Sequence, residues 1–365
     1  MLASILKGAG YTVGLYTSPH LIRFNERVRV DGIPIPDEKI VEFVSLYKSD
    51  LEEIKSTFFE ATTALAFNYF KDENVDVAVV ETGLGGRLDS TNVLKPTITI
   101  ITSITADHTE ILGKDLSKIA FEKGGIIKNN IPLVLSPQCD EVDNVLLRIA
   151  KEKNAALNDC KKKYLNNVKL GENGTEFSWN DNQYKTNLIG EHQASNAVLA
   201  IEAAKLFDKN IKHESIVNGL KNVIWPGRLQ SLSNNKHIYY DVAHNPHGIE
   251  VVLETLSNIF NEKPIGLLAL KADKELDKIA PILRNKFSKL IITSQAEAGL
   301  MDSNNLHISL LNFGIDNIIE MDIYKAMDYI EKSVSKSKPG LIFGSHYIGK
   351  SVFEKFGFFF DKGVI

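Results

Sequence analysis

A chain of 365 residues with 44% hydrophobic side chains is long enough for two domains, each burying its own core. Its 42 basic and 46 acidic side chains leave a formal charge of −4 and are scattered, with no lysine or arginine run able to track a phosphate backbone, so nucleic acid is excluded as a partner. Cys139 and Cys160 form no C-x-x-C pattern and no apolar run approaches the roughly eighteen residues of a membrane span; a soluble, cytoplasmic protein without disulfide, zinc or membrane partner is expected.

In chain order, Met1–Ala9 has helical spacing and Gly10 stops it before a strand at Val13–Thr17. Helical patterns over Glu38–Lys55, Phe59–Lys71 and Leu116–Lys123 then alternate with β-rich runs at Val75–Glu81, Thr97–Ser103 and Pro132–Ser136, an order that predicts a parallel sheet covered by helices on both faces. Tyr164–Lys169, Thr175–Trp179 and Gln183–Thr186 predict short antiparallel strands turning at Gly174 and at Asp181-Asn182. Helices at Gln193–Phe207 and His213–Val223 lead to Trp225-Pro226-Gly227-Arg228, where proline and glycine make a hinge. Residues 1–224 and 229–365 are therefore assigned to two domains with 225–228 between them. The second repeats the alternation: strands Ile238–Val242, Ile265–Leu270, Lys289–Thr293 and Gly340–Phe343, with helices Gly248–Phe260, Lys274–Phe287 and Tyr324–Ser335.

Chemistry-bearing residues gather where these strands end, which is where open α/β sheets bind ligands. Ser18 follows the first strand, able to coordinate magnesium or merely to make a turn bond before Pro19. Glu81 follows the second and opens the glycine-rich loop Gly83–Asn92, either a ligand loop or an ordinary turn. His108, between Asp107 and Glu110, follows the third, as a metal or phosphate ligand or a loop cap. Lys123, in the apolar, glycine-terminated Phe121–Lys128, is a reactive amine or a helix-end cation. Gly190–Ala197 opens a helix with Asn196 in position to face a nucleotide, while Glu191 and Gln193 are explained by capping alone. Arg228 suits a bidentate grip on phosphate or carboxylate, and Asp241 and His244 suit polar groups of a substrate; an interdomain ion pair and a helix start at Asn245-Pro246 are the structural alternatives.

Together these stretches, with Tyr16–Leu21, Arg23–Arg27 and Thr57–Glu60, resemble the folylpolyglutamate synthase and dihydrofolate synthase family of the Mur-ligase superfamily over nearly the whole chain. The resemblance implies a P-loop-type, doubly wound α/β central domain and a smaller Rossmann-like α/β domain. It implies two magnesium ions, one on Ser18 and Glu81 and one on His108, bridged by a carbamate on Lys123. Thr57, Phe58, Phe59 and Glu60 would lie by the nucleotide, Leu88, Asp89 and Ser90 would line the pterin site, and Asn196, Arg228 and Asp241 would hold ATP. His244 would stand near phosphate or incoming glutamate, so that Lys123, Arg228 and His244 form the catalytic group. The implied reaction joins L-glutamate to a folate or dihydropteroate carboxylate through an acyl phosphate, in a protein that is monomeric at full length.

Two departures stand out. No G-x-x-x-x-G-K-[S/T] sequence is present, and the family's phosphate loop would fall just before the helix at Met1; a chain truncated there should be weakly active, with an exposed sheet edge that makes it poorly soluble or unstable. Ser294–Ser303 also lacks the proline and arginine that the family leads one to expect, which bears on handling of the glutamate tail. A non-catalytic folate-binding relic and a peptidoglycan ligase are the alternatives; Gly83–Asn92 and Thr57–Glu60 argue against the latter.

Overall fold

The computed structural model describes residues 1–105, 113, 115–160, 165–294 and 299–358. Helix α1 (Leu2–Gly8) precedes β1 (Val13–Tyr16), which is buried along its whole length. Strand β1 pairs antiparallel with β2 (Val28–Val30) and parallel with β4 (Val77–Val80), and β3 (Ile33–Pro34) closes the far edge. The β2–β3 turn is Asp31-Gly32, with φ of 50° and 82°, the left-handed pair that a two-residue hairpin needs. Helices α2 (Asp37–Glu53) and α3 (Phe58–Asp72) follow.

A second sheet is wholly parallel: β5 (Thr99–Ile101), β6 (Leu133–Leu135) and β7 (Leu157–Asp159), connected by α4 (Leu116–Gly124) and α5 (Asp140–Glu152). The single parallel sheet expected from sequence is thus two among the described residues, one of them mixed, with β4 and β5 each the end strand of its sheet. One helix layer spans both. Ala3 and Leu6 of α1 pack with Val13, Val77 and Val79 of the first sheet, while Ile5 joins Val134 and Ile100 of the second.

The three antiparallel strands form as expected, β8 (Leu165–Gly171), β9 (Gly174–Trp179) and β10 (Asn182–Thr186), but the turns fall at Glu172-Asn173 and Asn180-Asp181, because Gly174 and Asn182 are already paired in β9 and β10; Tyr164 lies outside the described residues. Its Phe177, Trp179 and Tyr184 pack on the alanine-rich face of α6 (Glu191–Phe207), and α7 (His213–Asn222) lies on α1.

The remaining strands form one sheet in the order β11 (Gln230–Ser231), β12 (Ile238–Asp241), β16 (Gly340–Phe343), β13 (Ile265–Leu268), β14 (Lys289–Ile292), β15 (Ile318–Ile319), parallel except for β11. Its central strands are continuously apolar because helices cover both faces. Helices α8 (Pro246–Ile259), α9 (Leu276–Leu283) and α10 (Ser303–Asn312) bury one face, and α11 (Ile323–Ser333) and α12 (Gly349–Phe356) the other. Asn245 caps α8 through the Gly248 N–H at 2.7 Å, with Pro246 at the first helical position. Among the described residues no helix is long and apolar enough to cross a membrane.

Candidate functional site

The carboxyl ends of β1, β4 and β12 bring Ser18, Glu81 and Asp241 to one cleft around Arg228. The backbone N–H of Ser18 donates to Glu81 Oε2 at 2.9 Å, and the Glu81 N–H donates to the Tyr16 carbonyl, so the two strand ends are tied side to side. The Glu81 carboxylate reaches solvent on the cleft wall. The protein packed around it nevertheless raises its pKa, opposed by the Ser18 N–H and by the charges of Arg228 and Lys123. Ser18, Glu81, Lys123 and Arg228 therefore share one neighbourhood.

Lys123 reaches it because α4 docks on the glycine loop. The Arg87 N–H donates to the Glu122 carbonyl at 2.8 Å, and its guanidinium pairs with the Glu122 carboxylate at 2.9 Å. A Cβ on Gly86 would lie 2.9 Å from the Glu122 carbonyl oxygen and 3.0 Å from that of Lys123, so only glycine permits this approach. Inside the loop, Asp89 accepts from the Gly83 and Leu84 N–H groups and from both the N–H and hydroxyl of Thr91, at 2.6 to 3.0 Å. Its carboxylate folds the loop, leaving Leu88 79% exposed at the tip and Ser90 hydrogen-bonded to Thr63 at 2.7 Å.

Thr57 and Glu60 cap α3 reciprocally. Phe58, 63% exposed, meets Phe24 edge-on and carries the Arg27 guanidinium over its ring at 5.5 Å. Phe59 stands beneath the loop: a Cβ on Gly83 would come within 2.3 Å of its ring. Gly83→Ala should thus displace Phe59 from its stack on Tyr16 and cost ~1–3 kcal/mol in urea denaturation. A stability change below about 0.5 kcal/mol would show the contact to be slack.

Across the cleft, Asp241 is buried, with Oδ2 accepting from the Leu229 N–H (2.8 Å) and Oδ1 from the Ala243 N–H (2.7 Å). Burial raises its pKa to about 6, against the opposing pull of Arg228 and the two N–H groups. The exposed Arg228 also acts on His192 and Tyr240 and so sits at the centre of the site. His244 donates Nδ1–H to the Val242 carbonyl at 2.9 Å, which makes Nε2 the acceptor nitrogen. Asn196, half-buried in the first turns of α6, bonds Gln193 at 3.4 Å. His108 lies outside the described residues.

Three further histidines belong to this cleft and are not among those that the sequence singles out. His20 accepts from Arg27 Nε at 2.9 Å. His346, on the loop after β16, is pushed down to about 4 by burial and by His244, His20, Lys271 and Lys274. His192 is lowered by burial, then by Arg228 and His247. The strand-end rule points to His346, since β16 is a central strand, and equally to His20, which follows β1; His192 carries no such signal, since it lies in the first turn of α6.

The described donors fit a hard divalent cation in part. Ser18 and Glu81 are oxygen donors, and a carboxylate whose ionisation is disfavoured gains from a cation. Among the described residues, no group of three or more His, Cys, Asp or Glu converges. A cavity of about 450 Å³ lies elsewhere, between the β8–β9 tip and Ile259; its Lys185 and Glu176 pair with each other at 3.0 Å, so it offers less than the cleft for the chemistry.

Comparison with known proteins identifies the family of the chain. Residues 37–204 match the Mur ligase middle domain and 227–346 the Mur ligase glutamate ligase domain. The dihydrofolate synthase/folylpolyglutamate synthase of Bacillus subtilis is 41% identical over 73% of this chain, which covers 66% of that protein, just under two thirds. The folylpolyglutamate synthase of Lacticaseibacillus casei is 35% identical over 80% of the chain and 72% of its own length. The Mycobacterium tuberculosis folylpolyglutamate synthase, solved with ADP and AMPPCP, superimposes with a TM-score of 0.86 at 29% identity, covering 98% of this chain and 88% of that one. The chain belongs to the folylpolyglutamate synthase and dihydrofolate synthase family of Mur ligases.

Proposed function

We propose that the protein ligates L-glutamate to a folate or dihydropteroate carboxylate at the expense of ATP. The observation that carries this reading is the meeting of Ser18, Glu81 and Lys123 from one domain with Arg228 and Asp241 from the other. The substrate carboxylate attacks the γ-phosphorus of ATP, ADP leaves, and the glutamate amine then attacks the acyl phosphate and expels phosphate. Arg228 grips phosphoryl oxygens as charge spreads over them, and its guanidinium suits two of them at once. His244, whose Nδ1–H is held by the Val242 carbonyl, would take a proton from the incoming amine. Asn196 holds the nucleotide side of the cleft. Leu88 and Ser90 line the pterin side within a loop fixed by Asp89 and backed by Phe59; Thr57, Phe58, Phe59 and Glu60, at the start of α3, would lie by the nucleotide. Ser18, Glu81 and His108, with a carbamate on Lys123, would hold magnesium, which when bound would supply charge neutralisation on the transferring phosphoryl group.

We further propose that the phosphate loop is carried by sequence on the N-terminal side of α1. No residue of β4 is fully buried and Ala78 is exposed, although the strand reads Val-Ala-Val-Val and its neighbour β1 is buried throughout. One more parallel strand between β4 and β5, beneath α1, would cover those side chains and unite the two sheets. Ligation is tested with dihydropteroate, tetrahydrofolate and a muramyl peptide, each with ATP, magnesium and labelled glutamate, in the reading frame extended upstream. Extension of a pteroate substrate is expected; extension of the muramyl peptide alone would overturn the assignment.

A further inference from the structure

The loop from Ser18 to Arg23 touches both domains. At its start the Ser18 N–H holds Glu81. In its middle, Leu21 lies against the second domain: a Cβ on Gly349 would stand 3.1 Å from Leu21 Cγ and Cδ1, and one on Gly227 would stand 3.6 Å from Cδ2. Leu21 and Ile22 both pack on the core cluster that contains Tyr240, Ile348 and Val352. What fixes this loop is one carboxylate. Glu26, only 7% exposed, accepts from three consecutive backbone N–H groups: Leu21 on Oε2 at 2.8 Å, and Ile22 and Arg23 on Oε1 at 2.9 and 2.6 Å.

Three donors converging on a buried anion form a strong, directional clamp. Its base is itself anchored. Asn25 donates to the Ile35 carbonyl and to Asp37, both at 2.7 Å, and buried Arg29 donates to the carbonyls of Glu26 and Gly32. Glutamine would keep the shape but put an NH₂ against N–H groups on one side, losing at least one acceptor where no water replaces it.

We infer that Glu26 is a positioning residue that docks the two domains on each other: by clamping residues 21–23 it seats Leu21 on Gly227 and Gly349 and keeps Ser18 on Glu81. One buried carboxylate on the first domain thereby sets where Arg228, the residue after Gly227, stands relative to Glu81. Only the kinetic consequence rests on the ligase reading; the docking itself does not.

Hydrogen exchange on the full chain tests it without reference to turnover. Glu26→Gln should speed exchange of the 21–23 amides by about tenfold or more, and also that of residues 344–352 on the other domain. Leu21→Ala should speed 344–352 while leaving the 21–23 amides protected, because their carboxylate remains. Faster exchange at 21–23 with none at 344–352 would overturn the docking role, and so would unchanged exchange at both. Should Glu26→Gln fail to fold, Leu21→Ala decides alone: faster exchange at 344–352 supports the inference and no change there rejects it. In a ligation assay, Glu26→Gln should lose about tenfold in kcat with the KM for ATP nearly unchanged. If the protein extended upstream and otherwise unaltered adds glutamate to no pteroate, the ligase reading fails while the exchange result stands.

Discussion

Replacing Arg228 with alanine is expected to cut glutamate ligation by about a hundredfold or more, with most of the loss in kcat. Its backbone is held on both sides. Gly227 has φ of 71°, where a Cβ would strike Val242 Cγ1 at 2.8 Å, and its carbonyl accepts the Val242 N–H. Leu229 has φ of 40°, costly for a branched side chain, and is kept there by burial and by its N–H bond to Asp241. This pinned turn projects an exposed guanidinium at Glu81, the arrangement expected of a group that meets charge as it develops. Lysine keeps the charge but loses the fork, so Arg228→Lys should fall between wild type and alanine. Loss of Arg228 also removes the positive charge that favours ionised Asp241 and Glu81, and both carboxyl groups should titrate at higher pH. Steady-state kinetics across pH 6 to 9 reads both effects. An alanine variant within about threefold of wild type, with an unmoved acid limb, would remove Arg228 from the transition state.

Much of this site is legible in the chain because its residues lie at strand ends. Val75–Glu81 reads as a buried strand running into glycines, and Glu81 stands at its carboxyl end; Ile238–Val242 places Asp241 in the same way. Asn245-Pro246, given as the structural alternative, is the start of α8, and His244 beside it is nonetheless in the cleft. The clamp at Glu26 is not legible, since its partners are backbone N–H groups and those leave no trace in the pattern of side chains. Helix α5 is absent from the expected elements although Val142, Leu146 and Ile149 recur at helical spacing, and its neighbour β7 is too short to show a period. The split of the first sheet is equally hidden: apolar runs announce strands but not which strands pair. Lys274–Phe287 shrinks to Leu276–Leu283 because the chain leaves the helical region at Arg284, and Asn285 follows with φ of 59°.

Asp241 should cost the fold ~3 kcal/mol of stability between pH 4 and pH 7, and Asp241→Asn should remove that slope. The folded carboxyl titrates near 6, against 3.8 for an ordinary aspartate, so between those values the folded state holds a proton that the unfolded chain has released. Its contribution is complete below about pH 4 and is lost as pH rises through 6, the reverse of a salt-bridged acid. Burial is the main cause; Arg228 and the N–H groups of Leu229 and Ala243 limit the rise. Asparagine carries no titrating proton but turns an NH₂ toward one of those N–H groups, at a cost of ~1–3 kcal/mol that does not vary over this range. Urea denaturation of both proteins at pH 4, 5, 6 and 7 isolates the effect, because all other titrations cancel in the difference. The wild-type advantage should shrink by ~3 kcal/mol from the lowest pH to the highest. A constant difference would mean that the Asp241 carboxyl is solvated in the folded state, and an ionised carboxylate would then hold the Leu229 turn without penalty.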